Sequence, residues 1–158
     1  MIERILSNLD RQRRAVELLR ALQKEEFAEL SARNPEAVAS LEFSIQELLR
    51  QLAAERRSLH ALYAAFDPAA RRLFDIIDRF PPEAAARARV LHATIDAVEQ
   101  ACAKQAGRTY AMALGLYDMA KGGLENLRAL LVPKKGTYGA RGRLAMGQAG
   151  PSLVNGRL

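Results

Sequence analysis

Between Glu83 and Leu131 the chain holds 49 residues without a proline. Apolar side chains recur along them at helical spacing. Leu91, Ile95, Val98, Cys102, Met112, Leu116 and Met119 form one stripe, and Tyr110, Leu114, Tyr117, Leu124 and Leu131 add a second. That periodicity predicts one long helix, of roughly 70 Å at about 1.5 Å per residue. A helix of this length does not stand alone in water with an apolar face exposed; it needs partners along its length. The fold is therefore constrained by how much of this helix the rest of the chain can cover.

The rest reads as helix too. No glycine occurs before Gly107, and six of the ten lie at or after Gly136. Strands joined by tight turns need glycine and period-two alternation, and the first hundred residues have neither. Residues 2–33 predict a first helix with the seam Ile2, Leu6, Leu9, Arg13, Val16, Arg20, Gln23, Phe27 and Leu30, widened by Leu18, Leu19 and Leu22. Asn34-Pro35-Glu36 is a helix start: the asparagine caps, the proline loses no needed donor, and the acid favours the positive helix end. Residues 35–66 predict a second helix, antiparallel to the first. Its seam Val38, Leu41, Ile45, Leu48, Leu52, Glu55, Leu59, Leu62 and Phe66 is apolar except at Glu55. Asp67-Pro68 predicts a short helix to about Arg79, with Leu73, Ile76, Ile77 and Phe80 plugging the bundle end, and Pro81-Pro82 stops it. Val132-Pro133 ends the long helix. The expected fold is all-α: an elongated antiparallel helical bundle of three long helices and one short helix, with a flexible basic C-terminal tail.

Charge divides the chain in the same way. The formal net charge is +6. Residues 132–158 contribute Lys134, Lys135, Arg141, Arg143 and Arg157 and no acid, so the body is close to neutral. The expected organisation is a helical domain over 1–131 and a basic, Gly-rich tail over 132–158. No apolar run reaches the ~20 residues of a membrane span, and no basic segment precedes an apolar core at the N-terminus, so neither membrane insertion nor a secretory leader is expected. The single Cys102 cannot form an internal disulfide and reads as a small core residue in a reducing, cytoplasmic setting.

Catalytic constellations do not emerge. His60 and His92 stand singly on separate helices, outside any paired metal-ligand spacing, and read as surface histidines. Gly107, Gly115, Gly122 and Gly123 lie along a helical pattern rather than after a strand, which suits close helix packing or a local bend. The pairs Arg56-Arg57 and Arg71-Arg72, like Arg11-Arg13-Arg14, are offset by nearby acids and read as solvated faces. No enzyme, metal or cofactor is expected.

The first two helices are each long enough to cover only about 30 residues of the third. From about Met112 onward the long helix is then expected to overhang the Ala32–Glu36 corner. Both stripes are apolar there, and an uncovered apolar face marks an interaction site. Met112, Leu116, Tyr117, Met119, Leu124 and Leu127 are the candidate partner-binding residues. Methionine adapts to varied surfaces, and tyrosine combines apolar area with a polar tip. Two alternatives are a break near Gly107 or Gly122-Gly123 that doubles the helix back, and a homodimer through the same face.

Beyond the helix runs Lys134-Lys135-Gly136-Thr137-Tyr138-Gly139-Ala140-Arg141-Gly142. An all-helical chain with a Tyr-Gly-x-x-Gly tail resembles the FlgN family of flagellar export chaperones. The corner Asn34-Pro35-Glu36, the segment Leu48-Leu49-Arg50-Gln51-Leu52 and the closing Leu124-Glu125-Asn126-Leu127 resemble the family's layout across nearly the whole chain. The chain departs from the family's pattern at Arg141, where an acid is common, and at Ala103-Lys104-Gln105-Ala106-Gly107, where Asn-x-x-Asn-Gly is common. The resemblance implies a cytosolic chaperone that binds the C-terminal helical segment of hook-associated proteins and delivers them to the export gate. It also implies that Tyr138, with Gly139 and Gly142, docks on the cytosolic domain of the export-gate membrane protein.

Two other classes have something in the sequence to point to. A structural coiled-coil scaffold would use the second helix's seam to homodimerise. A nucleic-acid binder would use the tail's cations for salt-dependent, non-specific affinity, but Tyr138 is the tail's one aromatic and no recognition motif accompanies it.

Overall fold

A computed structural model describes residues 1–131. It contains three helices, α1 (Ile2–Ser31), α2 (Pro35–Phe66) and α3 (Pro82–Leu131), and no strand among the described residues. The chain divides into two compact units, Met1–Leu114 and Gly115–Leu158.

Within Met1–Leu114, α1 and α2 are the closely packed antiparallel pair. Asn8 meets Glu55 near one end, and Leu19 shares a cluster with Ile45 further along. Their corner is tight. Asn34 N–H bonds the Glu29 carbonyl at 3.0 Å, and the Asn34 side chain accepts from Ala37 N–H to cap α2. Closing α1 this way puts Arg33 at φ 58°, a left-handed position where glycine usually sits and where a side chain costs about 1–2 kcal/mol.

The α2 seam is as expected: every position from Val38 to Phe66 is at least half-buried. The α1 seam holds at every position except Arg20, which is exposed. Beside it Ile5, Asn8, Gln12, Leu19 and Glu26 are also buried, while Leu18, expected to widen the face, is exposed. Asn8 and Gln12 are hydrogen-bonded, which offsets the cost of burying them, whereas Gln23 Oε1 is buried without a hydrogen-bond partner among the described residues. Asn8 Nδ2 donates to the Glu55 carboxylate at 2.6 Å, Gln12 Nε2 donates to Asn8 Oδ1 at 2.7 Å, and Arg11 donates to both Glu55 oxygens at 2.9 Å. Glu55, the polar break in the α2 seam, is the acceptor that binds Asn8 and Arg11 of α1 to α2.

The segment between α2 and α3 differs from expectation. In place of a short α-helix there are two 3-10 turns, Leu73–Asp75 and Ile77–Arg79. Side-chain carboxylates take the backbone donors that an α-helix would use. Asp67 accepts from Ala69 N–H at 2.9 Å, and Asp75 accepts from both Arg71 and Arg72 N–H at 2.8 Å. The plugging role survives. Ala70, Leu73, Ile76, Ile77 and Phe80 are buried in one core with Ile5, Leu9, Leu59, Tyr63, Leu91 and Ile95. Each such side chain is worth roughly 1.5–3 kcal/mol when fully buried. A second, smaller core joins Leu19, Ile45 and Cys102.

One buried acid works against the fold. Glu26 is buried, and its carboxyl is pushed above the usual 4.5 by burial and then by the neighbouring Glu42. A raised acid favours the neutral form in the folded state, so its stabilising contribution is full below pH 4.5 and is lost as pH rises through the folded-state value. Glu26→Gln is expected to raise the melting temperature at pH 7. The gain should shrink toward zero as pH falls below the ordinary glutamate value, as measured by thermal melts across the acid range.

Candidate functional site

Helix α3 begins as a core helix. Ala85, Ala88, Leu91, Ile95 and Cys102 are buried, and the Cys102 thiol lies 3.7 Å from the Val16 carbonyl. Burial raises the thiol above its ordinary value. Among the described residues no α3 side chain after Cys102 is buried. Met112, the first candidate partner-binding residue, is half-buried, with its sulfur 3.3 Å from the Ser31 hydroxyl.

Residues 115–131 belong to the second unit. They are helical throughout, with no break at Gly122 or Gly123, and helix also continues across Gly107 and Gly115. A break that doubles the chain back is therefore not what these residues form. Leu116 is half-buried, whereas Tyr117, Met119 and Leu124 are 64%, 66% and 67% exposed. Leu127, Leu130 and Leu131 are exposed too. At about 100° per residue, these seven side chains occupy an arc of roughly 160°, completed by Ala120 and Gly123. The two stripes of the sequence are the two sides of one broad face. Asp118, Lys121, Glu125 and Arg128 all fall on the opposite side, so the apolar face carries no charge.

The helical glycines differ from expectation. A Cβ at Gly107, Gly115, Gly122 or Gly123 would meet nothing within 4 Å, so close packing does not explain them. Here they only weaken the helix, by about 1 kcal/mol each relative to alanine.

The remaining site candidates, Tyr138, Gly139 and Gly142, lie outside the described residues. His60 and His92, which look unrelated in the sequence, border one cavity of about 400 Å³ in the Met1–Leu114 unit. The described residues contain no cluster of three or more metal-ligating side chains, and no described helix is long and apolar enough to cross a membrane.

The described residues are thus built of helices, and those of 115–131 present a broad, uncharged, exposed face. The family profile described as FlgN protein matches residues 1–145. The chain belongs to the FlgN family, a family of flagellar export chaperones. No curated protein and no solved structure matches it.

Because nothing stands near the helical glycines, Gly122→Ala and Gly123→Ala should strengthen α3 without a clash. Each is expected to add about 1 kcal/mol to local helix stability, seen as greater far-ultraviolet circular dichroism or slower amide exchange over residues 115–131. A loss of helical signal in either variant would mean that the glycine is needed where it stands.

Proposed function

We propose that this chain is a cytosolic chaperone of type III flagellar export. It holds the C-terminal helical segment of a hook-associated protein and delivers it to the export gate. Residues 1–131 serve as the client-holding domain, and residues 132–158 as the arm that engages the gate. The observation that carries this reading is the exposed apolar face containing Tyr117, Met119, Leu124 and Leu127. An amphipathic client helix buries its own apolar side by laying it on such a surface, with contacts repeating every three or four residues. Met112 and Leu116 lie on the same stripe of α3. Membership of the FlgN family supports the chaperone role and flagellar proteins as its partners.

At the gate, Tyr138 between Gly136 and Gly139 offers one large aromatic anchor, and glycine permits a turn in a partner's pocket. Lys134, Lys135 and Arg141 would speed encounter with an acidic surface more than they would add affinity.

Capture and delivery are separable by mutation. Met119→Asp and Leu124→Asp should each weaken client binding by roughly 1–3 kcal/mol, the scale of a central interface contact. Melting should change little because both side chains are exposed. Calorimetric titration with a peptide of the client's C-terminal segment measures this, and unfolding by either change would make the face internal core. A shift to monomer in sedimentation, without loss of client binding, would assign the face to self-association. Tyr138→Ala is expected to leave client binding unchanged and to weaken association of the loaded chaperone with the gate's cytosolic domain. Equal affinity for the two proteins would remove Tyr138 from delivery.

A further inference from the structure

The cavity of about 400 Å³ in the Met1–Leu114 unit is walled by all three helices and the first 3-10 turn. Its size falls among pockets that take a ligand or a few side chains, roughly 300–1,000 Å³. The apolar part of its wall is Leu9, Leu59, Tyr63, Leu73 and Ile95, drawn from the larger core. Phe74 borders it while 56% exposed, although its neighbours Leu73 and Ile76 are buried. The Phe74 ring stands edge-on to His92 at 5.2 Å, so the aromatic is held in place at the surface.

Around these apolar groups the charges are unequal. Glu99 pairs with Arg56, and Asp96, which is exposed, lies 3.0 Å from His92 Nδ1. Two cations are not so engaged. Among the described residues the Arg71 guanidinium reaches only the Pro68 carbonyl, at 3.4 Å, and that of Arg72 has no hydrogen-bond acceptor. Their backbones are fixed by Asp75, which accepts both N–H groups. Those two bonds, and then the nearby Arg72 charge, hold the Asp75 carboxyl below its ordinary value. Two arginines are thus set on a rigid turn with their heads available, beside an exposed aromatic and an apolar wall.

We propose that this groove is a second docking site, for a short segment of a partner protein that carries a large apolar side chain flanked by carboxylates. Charge complementarity selects that occupant. Three arginines line the wall against two carboxylates, one of which is paired with Arg56, so the wall is net positive. The chain's own residues 132–158 are basic without an acid and do not complement this wall. All the lining residues lie within Met1–Leu114, so this site is independent of the face on residues 115–131.

The test titrates the full chain with a short synthetic peptide of glutamate and leucine, and separately with a lysine and leucine counterpart. Inorganic phosphate and phosphatidylglycerol vesicles are the further arms. The glutamate peptide is expected to bind and to shift the His60 and His92 ring signals in NMR. Binding should fall at least tenfold in the Arg71→Glu, Arg72→Glu double variant, and the lysine peptide should gain affinity for that variant. Phe74→Ser should also weaken the glutamate peptide, whereas Met119→Asp should not. Melting curves are expected to match wild type, since all three substituted groove side chains are exposed. Equal binding of both peptides, binding of phosphate or vesicles but not peptide, unchanged affinity in the double variant, or loss of binding in Met119→Asp would each overturn the proposal. The Met119→Asp arm also separates failure here from failure of the client face.

Discussion

The packing of the Ala70–Phe80 segment into the space between the helices is the contact on which the Met1–Leu114 unit depends. It is where side chains of α1, α2 and α3 share one core, through Ile5 and Leu9, Leu59 and Tyr63, Leu91 and Ile95. Further along, the second core is thinner, with Leu19, Ile45 and Cys102 supported by partly buried Leu22, Leu48 and Val98. Along α3, burial is dense at the start, ends at Cys102, and gives way to exposed side chains. Dispersion and burial scale with contacts made, so α3 is anchored at its beginning, and its later residues contribute little to the core.

Polar chemistry sharpens this layout. A run of alternating apolar positions would let α1 and α2 slide by a turn at small cost. Glu55, taking Asn8 and Arg11 while Asn8 takes Gln12, has its partners only in one register. A buried polar group without a partner costs about 1–3 kcal/mol, so the network penalises the slipped pairings more than it strengthens the right one. Glu26 is the counter-example, a buried acid facing another acid, at the end where the core is thinnest.

These particulars explain what was legible in the sequence. The α2 seam and the long α3 helix were, because apolar residues at strict 3-4 spacing have one reading. The broad face on residues 115–131 was legible for the same reason. The burial of Asn8 and Gln12 beside the α1 seam was not legible, because Glu55, the group that anchors Asn8, is more than forty residues away. The 3-10 turns were hidden because their apolar pattern suits an α-helix; the carboxylates of Asp67 and Asp75 redirect the backbone. The groove at His60 and His92 was illegible because its wall is gathered from four separate segments, none with a motif of its own. The helical glycines were misread because sequence does not reveal that the space beside them is empty.

The burial of Cys102 has a practical consequence. It is the only thiol in the chain, it faces the α1 backbone at Val16, and its proton is held more tightly than usual. Alkylating reagents act on the thiolate, so modification must wait until α3 lifts away from α1. The rate of labelling by an excess of reagent is then a clock for that opening. It needs no introduced probe, and it can be read with each partner bound in turn.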